Sequence, residues 1–87
     1  MKLNVRAFAI VSALLWGGLA MFLTGLANLV WPAYGRAFLE TMASVYPGYH
    51  AARSIADVIV GTLYGVVDGG VGGAVFAGLY NWFAGRA

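Results

Sequence analysis

An aspartate, Asp68, lies within a long apolar stretch whose small residues recur at every fourth position. Small residues with this spacing let a second helix backbone approach closely, and such packing is the main attraction between helices in lipid. An ionised carboxylate near the centre of a bilayer costs at least about 2.5–3.5 kcal/mol, so its placement there requires a role. The small residues on this side of the helix are Gly61, Gly65, Gly69, Gly72, Gly73 and Ala77. They predict a helix that packs against a close neighbour.

Two interpretations of Asp68 follow from its depth. In the first, a protonated or hydrogen-bonded carboxyl joins helices or subunits. In the second, the carboxyl belongs to a proton or ion path or lines a pore. No basic residue lies near its depth, so a charged partner has to come from another subunit. The lack of a relay of further acidic residues favours the structural interpretation.

The earlier apolar stretch carries the small or polar residues that can meet this face, among them Gly17 and Thr24. In an antiparallel hairpin we expect Asp68 to lie at the depth of Ala20. Thr24 would then be about one turn away and is the predicted hydrogen-bond partner. Asn28 completes the strip.

The remaining reactive side chains do not form a catalytic or metal-binding pattern. His50 is the only histidine, and Glu40 and Asp57 are isolated carboxylates, so no acid–base pair or ligand set is predicted. The chain has no cysteine, and its glycines do not follow a strand as a nucleotide-binding loop requires. We therefore predict no catalytic residues, no cofactor, no metal and no small-molecule substrate; the protein is not an enzyme.

The composition indicates a membrane protein. Of the 87 residues, 62% are hydrophobic and 9% are charged, against roughly a quarter charged in an average soluble domain. So few charges cannot cover a soluble globule, which argues against a soluble enzyme. The net charge of +2 comes from scattered residues, so binding to nucleic acid is not expected either.

Two segments are long enough to cross a bilayer. The first, Ala7–Trp31, has 25 residues without a charge and would form about 37 Å of helix. It exceeds the apolar region of a signal peptide and lacks a convincing cleavage site, so we expect an uncleaved transmembrane helix. The second covers about residues 55–83, where Ser54 and Asp57 have the spacing of a capping box.

The connection, residues 32–54, has its own structure. Apolar residues recur at helical spacing within Arg36–Val45 and predict a short amphipathic helix in the membrane interface. The sequence from Tyr46 to Tyr49 carries proline and glycine in the positions of a tight turn. The aromatic residues predicted to anchor the two interfaces are Trp31, Tyr34, Tyr46 and Tyr49 on this side and Trp82 on the other.

The predicted fold class is therefore all-α: a two-helix transmembrane hairpin with an interfacial helix in its connection, forming one membrane domain over residues 1–87. Three basic residues accompany the two termini and two lie in the connection. By the positive-inside rule this difference favours cytoplasmic termini in a bacterial inner membrane.

The chain resembles a family of small two-span bacterial membrane proteins of unknown function, whose members are often labelled bacteriophage holins. The resemblance lies in Lys2-Leu3-Asn4, Leu15-Trp16-Gly17, the Tyr46–Tyr49 turn, the Tyr64–Gly73 stretch and Leu79-Tyr80-Asn81. It implies two transmembrane helices, and the holin label implies hole-forming oligomers in the cytoplasmic membrane.

We expect the chain to associate through its glycine-rich face, with itself or with larger membrane subunits, as a structural or accessory component. The alternative is a holin-like oligomeric pore whose interior is lined by Asp68, Thr24 and Asn28. A small ion-transport component that uses Asp68 is a third possibility. The expected partners are lipid and protein only.

Overall fold

The computed structural model describes residues 2–86. Within these residues the chain forms three helices and no β-strand. Helix α1 runs over Val5–Val30, α2 over Arg36–Val45, and α3 over Ile55–Arg86. The all-α class is thereby confirmed, and each helix begins and ends within about three residues of its predicted bounds.

Helix α1 begins and ends where the sequence indicates. The side chain of Asn4 accepts a hydrogen bond from the amide of Ala7, which satisfies one of the amides left free at a helix start. The helix ends at Val30 because Pro32 disfavours a helical conformation at Trp31, which is extended. The middle of α1, Leu14–Leu23, has the wider π-helical hydrogen-bonding pattern, a form that is rare over ten residues.

Helix α3 begins with the predicted capping box. The amide of Asp57 donates to the Ser54 hydroxyl over 3.1 Å, and that hydroxyl lies 3.4 Å from the Asp57 carboxylate. Just before this cap, Arg53 has a φ of +53°, and its guanidinium donates to the carbonyls of Asn28 and Leu29. These bonds join the end of α1 to the start of α3.

The two long helices pack side by side in opposite directions. Gly25 faces Val58 at one end of the pair, and the rings of Phe8 and Phe76 stack at 5.4 Å towards the other. Beyond them, Leu3 exchanges two hydrogen bonds with the side chain of Asn81. The chain thus forms an antiparallel helical hairpin with both ends of the described segment on one side.

The register of this hairpin differs from the expected one by about one and a half helical turns. The predicted neighbours of Asp68 were Ala20 and Thr24, but the next residue, Gly69, packs against Ser12 and Trp16. In the observed register the side chain of Met21 packs against Gly61 and Gly65, and the backbone of Gly17 also meets Gly65.

Helix α2 has the predicted bounds, and it packs against the hairpin. Its buried Leu39 packs with Met21, Tyr46 and Tyr49 into a small core between the connection and the long helices. The turn after it has the expected geometry, with Gly48 at a φ of +87° and the amide of Tyr49 donating to the carbonyl of Tyr46. The connection is therefore folded back along the helix pair.

Two helices are long and apolar enough to cross a membrane, Val5–Val30 with mean hydropathy 2.0 and Ile55–Gly85 with mean hydropathy 1.5. Only 11% and 22% of their most apolar segments are buried within the chain. Most of their large apolar side chains consequently face outward.

Candidate functional site

Two consecutive hydrogen bonds that end at Asp68 link α1, the connection and α3. The indole Nε1–H of Trp16 donates to the Tyr46 hydroxyl over 2.8 Å, and that hydroxyl donates to Oδ2 of Asp68 over 2.8 Å. The directions follow from chemistry, since an indole can only donate and the phenol must then donate its single proton onward. Asp68 therefore accepts a hydrogen bond from a donor that is itself polarised by a second donor.

Tyr46 is held in place by the turn and by a neighbouring ring. Its ring stacks on that of Tyr64 with 4.9 Å between centroids, and the Tyr64 hydroxyl donates to the carbonyl of Pro47. Phe38 of α2 meets the Trp16 ring edge-on at 5.9 Å, which fixes the other end of the chain. The two ring contacts thus fix the positions of both hydrogen-bond donors.

Tyr46 remains protonated in this setting. Burial raises its pKa, the hydrogen bond from Trp16 acts in the opposite direction, and the hydrogen bond to Asp68 adds to the rise. A neutral phenol is the form that can donate to a carboxylate. The Tyr46 hydroxyl is therefore a neutral hydrogen-bond donor to Asp68.

The second carboxylate oxygen of Asp68 faces an open groove. Asp68 is exposed, and Oδ1 has no hydrogen-bond partner among residues 2–86. The groove has a volume of about 450 Å³. It is lined by Ser12, Leu15, Trp16, Asp68, Gly69, Gly72 and Gly73. We call it the Asp68 groove.

Most of the glycine series is already occupied by α1. A Cβ placed on Gly65 would lie 2.9 Å from the Cα of Gly17, and one on Gly69 would lie 2.6 Å from the carbonyl oxygen of Ser12. Gly61 and Gly73 are equally crowded, and Ala77 is fully buried. The prediction of a close neighbour is thus met within the chain itself, and this face is not free for another subunit.

Gly72 differs from the glycines of the series. It is exposed, and a Cβ built on it meets no atom within 4 Å. It borders the Asp68 groove and leaves one wall of the groove without side chains. Of the predicted packing residues, Gly72 is the one that remains available to an outside partner.

The predicted polar partners on α1 are used elsewhere. Thr24 is half-buried against Gly35 at the start of α2, about two turns away from Asp68 along α1. Asn28 is buried and donates to the carbonyls of Pro32 and Tyr34. Neither residue lies beside Asp68, so the predicted hydrogen bond between Thr24 and Asp68 does not form within the chain.

The aromatic residues divide into two groups. Trp31 and Trp82 are 65% and 52% exposed and stay candidates for interfacial anchors. Tyr46 and Tyr49 are each only 5% exposed and contact other parts of the chain, so their role as interfacial anchors stays a prediction. They are buried because the connection folds against the hairpin, where both rings pack with Met21.

The other titratable residues do not gather into a second site. His50 is exposed, and Glu40 pairs with Arg36 at 3.3 Å on the outer side of α2, as their spacing predicts. No three potential metal ligands come together within the described chain. Asp57 belongs to the helix cap, and the Ala52 amide also donates to it.

Sequence reasoning missed Trp16 as a functional partner of Asp68. A tryptophan in mid-helix is usually a packing residue, and nothing in its spacing relates it to Tyr46, 30 positions later. The one available indication was the Tyr-Pro-Gly-Tyr turn, which is specific enough to place an aromatic side chain accurately.

Comparisons with family models, with curated proteins and with solved structures find no match for this chain. The resemblance to small bacterial two-span proteins therefore stays a prediction.

Proposed function

We propose that this protein is a non-catalytic integral membrane protein that assembles with a neighbouring helix through the Asp68 groove. It would cross the bilayer twice, by α1 and α3, and serve as a structural or accessory subunit. The numerous outward-facing apolar side chains of both long helices support a lipid environment, because they would be exposed to water otherwise.

The single observation that carries the proposal is the half-satisfied carboxylate of Asp68. It lies thirteen residues after Ile55, which is about 20 Å along α3 and thus deep in a bilayer about 30 Å thick. One of its oxygens accepts a hydrogen bond from Tyr46, the other has no hydrogen-bond partner among residues 2–86, and the residue is exposed. Polar groups at such depth face other protein or water, because lipid offers no hydrogen bonds.

The bare surface of Gly72 supports a helix as the occupant of the groove. Small residues allow close approach of backbones, and Gly72, which lies outside the four-residue series, is not covered by α1. The association surface in this proposal is therefore narrower than the whole glycine face. It consists of Asp68 with Gly72 and the adjoining wall of α1.

Photocrosslinking in the membrane of expressing cells tests this proposal. A photoreactive amino acid replaces Gly72, on the groove, or Gly78, an exposed glycine on a different side of α3 that also has open space around it. We expect a protein adduct, with a second copy or another subunit, from position 72 and not from position 78. Adduct formation should fall several-fold when Asp68→Leu is added. Equal adducts from both positions, or adducts with lipid alone, would contradict the proposal.

The exposed carboxylate also fits a holin-like pore, in which several copies would turn Asp68 towards water. Controlled expression with a dye-leakage readout separates the two functions. Rapid permeabilisation that Asp68→Leu abolishes would favour the pore and defeat a purely structural role. Intact membranes together with the adduct at position 72 would favour assembly.

A further inference from the structure

We propose that the partner in the Asp68 groove is a transmembrane helix of a different protein that carries a lysine or arginine near its middle. The basic side chain would lie across the Gly72 surface and pair with Oδ1 of Asp68. This inference rests on the proposed function and adds the chemical identity of the partner.

The first argument is the direction of the hydrogen bonds. Two donors in series, Trp16 and Tyr46, point towards the carboxyl of Asp68. A donated hydrogen bond stabilises the ionised form of a carboxyl group, and a donor polarised by another donor does so more strongly. Asp68 is therefore a hydrogen-bond acceptor with one oxygen still unpartnered among the described residues, and a single neutral hydrogen bond does not offset the cost of placing a carboxyl group in lipid.

The second argument is the distribution of positive charge. Lys2 and Arg6 lie at the start of α1, and Arg36 and Arg53 belong to the connection. The fifth basic residue, Arg86, ends α3. Every basic residue of the chain is thus near an end of a long helix, and Asp68 is in the middle of one.

A second copy of the chain cannot supply the missing charge. Arg53 precedes Asp68 by fifteen residues and Arg86 follows it by eighteen, or about 22 Å and about 27 Å of helix. Arg6 is nearer in depth, because it precedes Ser12, which packs beside Gly69, by six residues or about 9 Å of helix. To bring Arg6 to Asp68, a copy would have to slide along the membrane normal by about two helical turns. Its apolar surface would then leave the lipid, which is highly unfavourable.

The third argument is the shape of the groove. The carboxylate lies beside the bare Gly72 and next to the Trp16 ring. The aliphatic part of a lysine or arginine side chain can pack on such a surface while its charged end reaches the oxygen. The groove therefore offers both an apolar support and an unpaired anion.

Synthetic transmembrane peptides test the inference directly. The probe is a leucine–alanine helix of about 22 residues with one central lysine, and the matched controls carry leucine at the centre or lysine near one end. Energy transfer from labelled full-length protein to labelled peptide is measured in phosphatidylcholine vesicles. We expect the central-lysine peptide to bind at least tenfold more tightly than either control.

Three variants complete the experiment. Asp68→Asn keeps an acceptor for Tyr46 and removes the charge, so the preference for central lysine should disappear. Asp68→Glu should retain most of the preference, and Gly78→Leu, on another side of α3, should leave the preference unchanged. Helix content from circular dichroism shows that each variant is folded.

Equal binding of the three peptides to the wild-type chain would overturn the inference, as would an unchanged preference in Asp68→Asn. The proposed function fails separately. If the adduct at position 72 forms with a second copy and survives Asp68→Asn, assembly through the groove stands and the cationic partner is excluded. If position 72 gives no adduct, assembly itself is contradicted.

Discussion

At the scale of single residues, Tyr46 has the most consequential position. It accepts from Trp16, donates to Asp68 and stacks on Tyr64, so one side chain joins α1, α3 and the connection. Such a network loses more than one bond when its central member is removed, because the outer groups are left without partners.

Replacing the central hydroxyl tests this network. Tyr46→Phe leaves the Trp16 indole and one oxygen of Asp68 unpaired, so the free energy of unfolding should fall by about 1–3 kcal/mol. Unfolding by sodium dodecyl sulfate in mixed micelles, followed by circular dichroism, measures the change. Tyr34→Phe is the control, because the Tyr34 side chain is exposed and should tolerate the loss of its hydroxyl. Equal stability of the two variants would show that the network contributes nothing.

At the scale of elements, the close contact of α1 and α3 depends on glycine where the backbones meet. Gly65 touches the Cα of Gly17 and Gly69 lies against the Ser12 carbonyl, so an added methyl group would meet backbone atoms. Backbone cannot rotate away as a flexible side chain can, and the helices would have to separate. Gly72, three residues after Gly69, has no such restriction.

This difference predicts opposite effects of the same substitution at neighbouring positions. Gly69→Ala should lower the free energy of unfolding by about 1–3 kcal/mol, because the new Cβ lies 2.6 Å from a carbonyl oxygen. Gly72→Ala should leave it unchanged or raise it by up to about 1 kcal/mol, since alanine favours a helix. The measurement is again unfolding in mixed micelles. If Gly72→Ala is the more harmful of the two, the assigned packing is incorrect.

At the scale of the whole molecule, the connection is the unusual part. The Tyr46 hydroxyl donates to Asp68, which lies about 20 Å along α3 from Ile55. The turn that follows α2 is therefore displaced along the hairpin from the end at which α1 ends and α3 begins. Non-helical backbone at membrane depth is tolerated where protein covers it. In the proposed bilayer, the rings of Tyr46 and Tyr49 and the hydrogen bond from Tyr64 to Pro47 would cover part of the turn, while Pro47 and Gly48 themselves are exposed.

Cysteine accessibility measures this depth, and the chain contains no cysteine of its own. In sealed vesicles, a membrane-impermeant maleimide should react with Ala33→Cys from one side and with Lys2→Cys from the other. Pro47→Cys should react at least tenfold more slowly than Ala33→Cys, because it lies at the depth of the hydrocarbon. Equal rates at positions 33 and 47 would place the whole connection in the interface, as its sequence alone predicts.

Much of the local structure was predictable because it depends on neighbouring residues. The caps of Asn4 and Ser54, the end of α1 before Pro32, the extent of α2 and the Pro47–Gly48 turn all follow from rules that span a few positions. The spacing of the glycines likewise predicted close packing and indicated Gly17 of α1 as one residue that could meet this face, although it gave the wrong register.

The sequence by itself determined that this protein consists of two long apolar helices joined by a structured connection, with one acidic residue set deep in the second helix. Only the tertiary structure shows which residues of the two helices and the connection contact one another. Register follows from how Met21 fits against Gly61 and Gly65, and the position of Tyr46 follows from the folding back of the connection. Both depend on three-dimensional shape between residues far apart in the chain, and periodicity carries no information about such contacts.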